Sequence, residues 1–133
     1  MKTSIPKHLE TGRLGEDLVV KFLKNNGFSI VDRNYRQKQG EIDIIARQGS
    51  LWHFVEVKTV TQKGSVTRER FSDYEPEDNI HLWKRQRLAK TIEIYLLAKH
   101  LEEVDWQVDA ISVYLNSGGE LLKLDWLEDI LLS

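Results

Sequence analysis

Short apolar runs with polar residues at alternate positions punctuate this chain, and two of them stand back to back. Gly40-Glu41-Ile42-Asp43-Ile44-Ile45-Ala46 and Leu51-Trp52-His53-Phe54-Val55-Glu56-Val57-Lys58 are separated by Arg47-Gln48-Gly49-Ser50. A period of two with β-branched and aromatic residues predicts strands, and a short polar link containing glycine predicts a hairpin turn. Successive strand side chains point to opposite faces. Glu41 and Asp43 therefore share one face, as do Glu56 and Lys58. Ile42, Ile44 and Ala46 with His53, Val55 and Val57 make the opposite, mostly apolar face. Pairing Arg47 with Ser50 sets Glu41 opposite Glu56 and Asp43 diagonal to it, whereas a bulge at Gly49 sets Asp43 directly opposite Glu56.

Other elements follow from the same patterning. Residues 12–26 read as a helix ended by Gly27, and residues 28–35 as a strand ahead of the hairpin strands 41–47 and 51–59. Residues 61–79 are polar and loop-like, and residues 80–101 read as a long helix capped by Asp78 or Asn79. Residues 106–114 form a further strand, and Asn116-Ser117-Gly118-Gly119 turns into a short strand at 120–124. Asp125-Trp126-Leu127-Glu128 resembles an acidic capping box opening a short final helix. A helix, a three-strand meander, a second helix and further strands predict an α/β sandwich, a central mixed β-sheet flanked by helices.

The first helix has an informative face. At 100° per residue, Leu14, Leu18, Val19, Val20, Phe22 and Leu23 span one broad arc, with Asp17, Lys21 and Lys24 outside it. Gly15 falls near the middle of the arc, where a small residue permits close helix–sheet approach. Glu16 also falls inside it, and a carboxylate there needs a partner. The plainer reading of Glu16 is a first-turn acid favoured by the helix dipole.

Composition narrows the classes. The 133 residues fit one domain with a real core, and 41% apolar with 30% charged residues describes a folded chain. No apolar run reaches spanning length, residues 1–9 lack the centre of a signal peptide, and there is no cysteine. A cytoplasmic protein without a membrane partner is the expectation. Net charge is −2, but residues 1–100 hold 18 Lys and Arg against 13 Asp and Glu, and residues 101–133 one against eight. Phosphate binding depends on local potential, so the basic portion suits a nucleic acid; solvated surface is the bland alternative.

Acids gathered on one side of a buried hairpin are costly unless something cationic sits among them. Mg²⁺ suits two carboxylates because it takes oxygen ligands and keeps several waters. Arg13, Arg36, Lys84, Arg85 and Arg87 are candidate phosphate contacts, although each alone reads as solvated surface.

An Asp, twelve intervening residues and Glu-x-Lys at the end of an apolar strand resembles the PD-(D/E)xK motif of restriction-endonuclease-like nucleases. Gly12-Arg13-Leu14-Gly15-Glu16, Arg33-Asn34-Tyr35-Arg36, Gly40-Glu41-Ile42-Asp43-Ile44-Ile45-Ala46 and Phe54-Val55-Glu56-Val57-Lys58 together resemble the YraN-like family. Those small bacterial proteins are predicted endonucleases, similar in outline to archaeal Holliday-junction resolvases. The likeness is dense from Gly12 to Lys58 and departs at Thr59, where the family usually places Arg, and across residues 62–79. It implies a restriction-endonuclease-like sandwich and a Mg²⁺- or Mn²⁺-dependent endonuclease acting on DNA, branched or structured by analogy with the resolvases. Asp43 and Glu56 would bind the metal, Glu16 would complete the shell, and Lys58 would assist water attack. Glu41 is a further ligand, a supporting base or a turn-side charge. Arg13, Arg36, Lys84 and Arg87 would hold the nucleic acid. Homodimerisation is left open. The rival classes are a catalytically silent nucleic-acid-binding module on the same fold, and an adaptor recruiting a partner through its acidic tail.

Overall fold

The structure, a computed structural model, describes residues 7–62 and 82–132. Of the segment 61–79 expected to be loop-like, Thr61 and Gln62 instead end a strand, and residues 63–79, with the expected caps Asp78 and Asn79, lie outside the described residues. Helix α1 (Lys7–Asn25) leads into β1 (Ser29–Gln37), β2 (Gly40–Gln48) and β3 (Leu51–Gln62); α2 (Leu82–Ala98) is followed by β4 (Asp105–Asn116) and β5 (Leu121–Leu127). The strands form one sheet in the order β1-β2-β3-β4-β5. Hairpin neighbours are antiparallel, and β3 and β4 are parallel, as a connection containing a helix permits. This is the expected mixed, helix-flanked α/β sandwich, an architecture compatible with the restriction-endonuclease-like fold. Among the described residues no helix is long and apolar enough to cross a membrane.

Each helix covers one face of the sheet. Val19, Val20 and Leu23 of α1 pack with Phe28, Ile44, Ala46, Val55, Ile111, Val113 and Leu115. Leu88, Ile92, Tyr95 and Leu96 of α2 pack with Ile42, Ile45, Trp52, Phe54 and Val108. Helix α1 ends where expected: Phe28 N–H donates to Leu23 C=O and Gly27 N–H to Lys24 C=O, with Gly27 at φ 85°. That 6→1 and 5→2 pair needs a left-handed residue, which glycine adopts without a Cβ penalty. The start differs, because α1 begins five residues before Gly12.

Two expectations are corrected. Residues 125–127 form no helix start; they complete β5, where Asp125, Trp126 and Leu127 pair with Ser112, Ile111 and Ala110. Pairing wins because it places the Trp126 ring edge-on against Phe22 and Phe28, at 5.7 and 5.6 Å between centroids. Nor does β2 alternate strictly. Ile44 and Ala46 face α1 as expected, but Ile42 joins Ile45 in the cluster beneath α2. The strict period breaks at Asp43, opposite a stretch of β1 where Asn34 takes a φ of 52°.

Candidate metal centre

The break at Asp43 marks where β2 and β3 part. Their ladder runs from Gln48↔Leu51 to Ile44↔Val55 around a two-residue turn in which Gly49 has a φ of 62°. Continuing that register sets Asp43 opposite Glu56, the alternative the sequence tied to a shift at Gly49. In place of another rung, the Val57 N–H donates to Asp43 Oδ2 at 2.8 Å. A carboxylate thus occupies the seam between two strands, held by the backbone of the strand that carries Glu56.

Two acids meet there, Asp43 buried and Glu56 half-buried. Asp43 is 8% exposed, and its pKa is pushed up to about 9, first by burial and then by the Glu56 charge; the Val57 N–H acts in the opposite direction. Burial also raises Glu56, against the attraction of Lys84, whose Nζ lies 3.7 Å from Glu56 Oε1. The carboxyls hydrogen-bond to each other, so one proton holds together a pair that cannot both ionise cheaply. A divalent cation would do the same with more charge and two oxygen ligands.

Glu16 approaches from α1. Burial raises its pKa, while the Arg33 guanidinium at 3.7 Å and a hydrogen bond from the Asn34 side chain lower it. Its charge is felt at Asp43, although Arg33 and Asn34 are its immediate partners. Gly15 permits this approach: a Cβ there would overlap Thr59 Oγ1 and stand 3.0 Å from Thr59 Cβ. Lys58 is exposed on β3 and lines a cavity of about 770 Å³ together with Leu14, Glu16, Val57, Thr59 and Asn116.

The remaining candidates are dispersed. Glu41 pairs with Arg36 at 3.0 Å, and Arg87 Nε donates to Gln39 C=O at 2.8 Å. Arg13 is exposed on α1. Among the described residues no three His, Cys, Asp or Glu side chains are grouped to hold a metal ion. The donor set suited to one is the Asp43–Glu56 pair, which fits an ion that keeps much of its water. Sequence reading gave no role to Arg33 or Asn34, although both stand in a motif block. It also missed the buried pair of His53 Nδ1 and Asp109 Oδ2 at 2.8 Å, whose partners lie 56 positions apart. Gln107 Nε2 and the Asp129 N–H also donate to Asp109, which makes this a structural polar network.

Comparison with known proteins accords with the YraN-like resemblance. Residues 15–113 match Uncharacterised protein family UPF0102, a span containing Glu16, Asp43, Glu56 and Lys58. A UPF0102 protein of Dictyoglomus turgidum is 39% identical over 118 residues, covering 89% of this chain and 93% of the relative. One of Campylobacter jejuni is 42% identical over 102 residues, covering 77% and 81%. Among solved structures, Pyrococcus furiosus SfsA in complex with Ca²⁺ is similar at 15% identity and a TM-score of 0.38, over 91% of this chain and 63% of that one.

Proposed function

This chain belongs to the UPF0102 family, and we propose that it is a metal-dependent endonuclease that hydrolyses phosphodiester bonds in structured or branched DNA. The observation that carries this reading is the pair of buried Asp43 and half-buried Glu56, seated where two strands separate and tied to the Val57 amide. A fold gains no stability from such a pair; a cation site does. Mg²⁺ or Mn²⁺ held by the two carboxylates would lower the pKa of a bound water and offset charge on the phosphate. Lys58, two residues beyond Glu56, places a positive charge at the rim where phosphate charge would grow. Glu16, with its pKa raised by burial, is suited to take a proton from the attacking water. The test is cleavage of duplex, flap, single-stranded and four-way-junction DNA with Mg²⁺ or Mn²⁺, by the wild type and by Asp43→Asn and Glu56→Gln. Cleavage by the wild type alone supports the assignment, and equal cleavage by all three overturns it.

A silent binding module is the second reading, favoured by the engagement of Glu16 with Arg33 and Asn34 instead of with the pair. It predicts DNA binding with no cut in any probe.

A further inference from the structure

We propose that Lys38, Arg87 and Lys90 form a second phosphate site, one to two turns of α2 beyond the carboxylate pair, which holds the backbone of the same DNA strand. The proposal rests on the nucleic-acid reading above and adds where the strand runs. The β1–β2 turn and the middle of α2 enclose a depression of about 510 Å³ lined by Lys38, Gln39, Gln86, Arg87 and Lys90. Among the described residues its wall carries three cations and two amides and no carboxylate. The complementary ligand is an anion rich in acceptor oxygens, which is what a phosphodiester offers.

The depression is built, not incidental. Arg87 Nε donates to Gln39 C=O at 2.8 Å, tying the guanidinium to the turn that carries Lys38. At the same junction the helix and β2 are pressed together: a Cβ on Gly40 would stand 2.9 Å from Thr91 Oγ1 and 3.6 Å from Arg87 C=O. Thr91 Oγ1 itself donates to Arg87 C=O at 2.8 Å. An arginine fixed in advance loses less freedom when it meets a phosphate. Lys38 has no ion-pair partner among the described residues, and Lys90 has Glu93 at 3.9 Å, a mostly exposed contact of little strength.

Position supplies the link to the metal centre. Lys84, which touches Glu56, is followed at intervals of three by Arg87 and Lys90. At 1.5 Å per residue these give a slanting cationic ridge about 9 Å long. A strand with its scissile phosphate at Asp43 and Glu56 would follow that ridge into the depression. Such contacts position the strand and read no base sequence.

The experiment measures binding of a labelled single strand and a labelled duplex to the Asp43→Asn protein, so that no probe is cut, across a NaCl series. Adding Lys38→Gln with Lys90→Gln should weaken affinity about tenfold at low salt and reduce the log–log salt slope by about one to two units. The same loss of charge through Lys21→Gln with Lys24→Gln, on the exposed side of α1, should change affinity much less. Equal losses in the two double variants, no loss at Lys38 and Lys90, or no binding by the parent would overturn the proposal. If the wild type cuts no probe while the Lys38 and Lys90 changes still selectively weaken binding, the cleavage reading fails and the phosphate site stands.

Discussion

Asp43 serves two neighbours at once: one oxygen accepts the Val57 amide, and the carboxyl also meets Glu56. These roles separate by substitution. Asp43→Asn keeps an acceptor for the amide and removes the charge, so without metal it should raise the melting temperature. Asp43→Ala leaves the Val57 N–H without its partner and should cost about 1–3 kcal/mol relative to Asn. The effect of pH has a definite sign. The folded pKa of about 9 lies above the ordinary 3.8, so below about pH 4 the group is protonated in both states and carries no penalty. From pH 4 to 9 the folded state binds the extra proton, and stability drains away as pH rises. In EDTA the gap in melting temperature between Asp43→Asn and the wild type should therefore widen from pH 5 to pH 9; a constant gap would count against burial as the cause. The candidate acids were legible because alternation along an apolar run exposes them. His53 and Asp109 were not, because a partner 56 positions away leaves no local pattern.

At the scale of elements, the strands and both helices follow from periodicity and turn residues, and the face that α1 turns to the sheet follows from its arc. The misread final helix shows where that logic fails. Asp125-Trp126-Leu127-Glu128 satisfies a capping pattern, but pairing with β4 and the burial of Trp126 between Phe22 and Phe28 outweigh one cap. The break in alternation at Asp43 was equally hidden, since it arises where β2 and β3 part rather than in the order of residues. Gly15 was placed at the helix–sheet contact by its position in the arc, and the structure supplies its partner, Thr59. Gly15→Ala should destabilise by about 1–3 kcal/mol through overpacking. Thr59→Ala should recover part of that loss by removing Oγ1 and Cγ2, as a thermal double-mutant cycle would show. Additive effects would mean that the two positions do not meet.

Across the whole molecule, two buried acids sit in opposite energetic settings, and the contrast separates a metal centre from ordinary structural polarity. Asp109 accepts from His53, Gln107 and the Asp129 amide. Asp109→Ala should therefore cost about 1–3 kcal/mol for the buried His53 donor left unpaired, with a smaller loss at the part-buried Gln107 and Asp129 donors. Glu56 has Lys84 beside it, while Asp43 and Glu56 repel each other. The charge asymmetry of the sequence, basic before residue 100 and acidic after it, accords with a cationic ridge on α2 but did not reveal which face the ridge occupies. Only the register of β2 against β3 and the packing of α2 bring Lys84 to Glu56. Whether the acid pair is held for a cation is read most directly by thermal unfolding of the wild type and Asp43→Asn, first in EDTA and then across a Mn²⁺ titration at constant ionic strength. The variant should melt higher in EDTA and respond little to the metal. The wild type should climb with Mn²⁺ as RT ln(1 + [L]/Kd), because a ligand bound by the folded state alone shifts the unfolding equilibrium. Equal responses in the two proteins, or no response in either, would contradict the assignment of Asp43 and Glu56 as a metal centre.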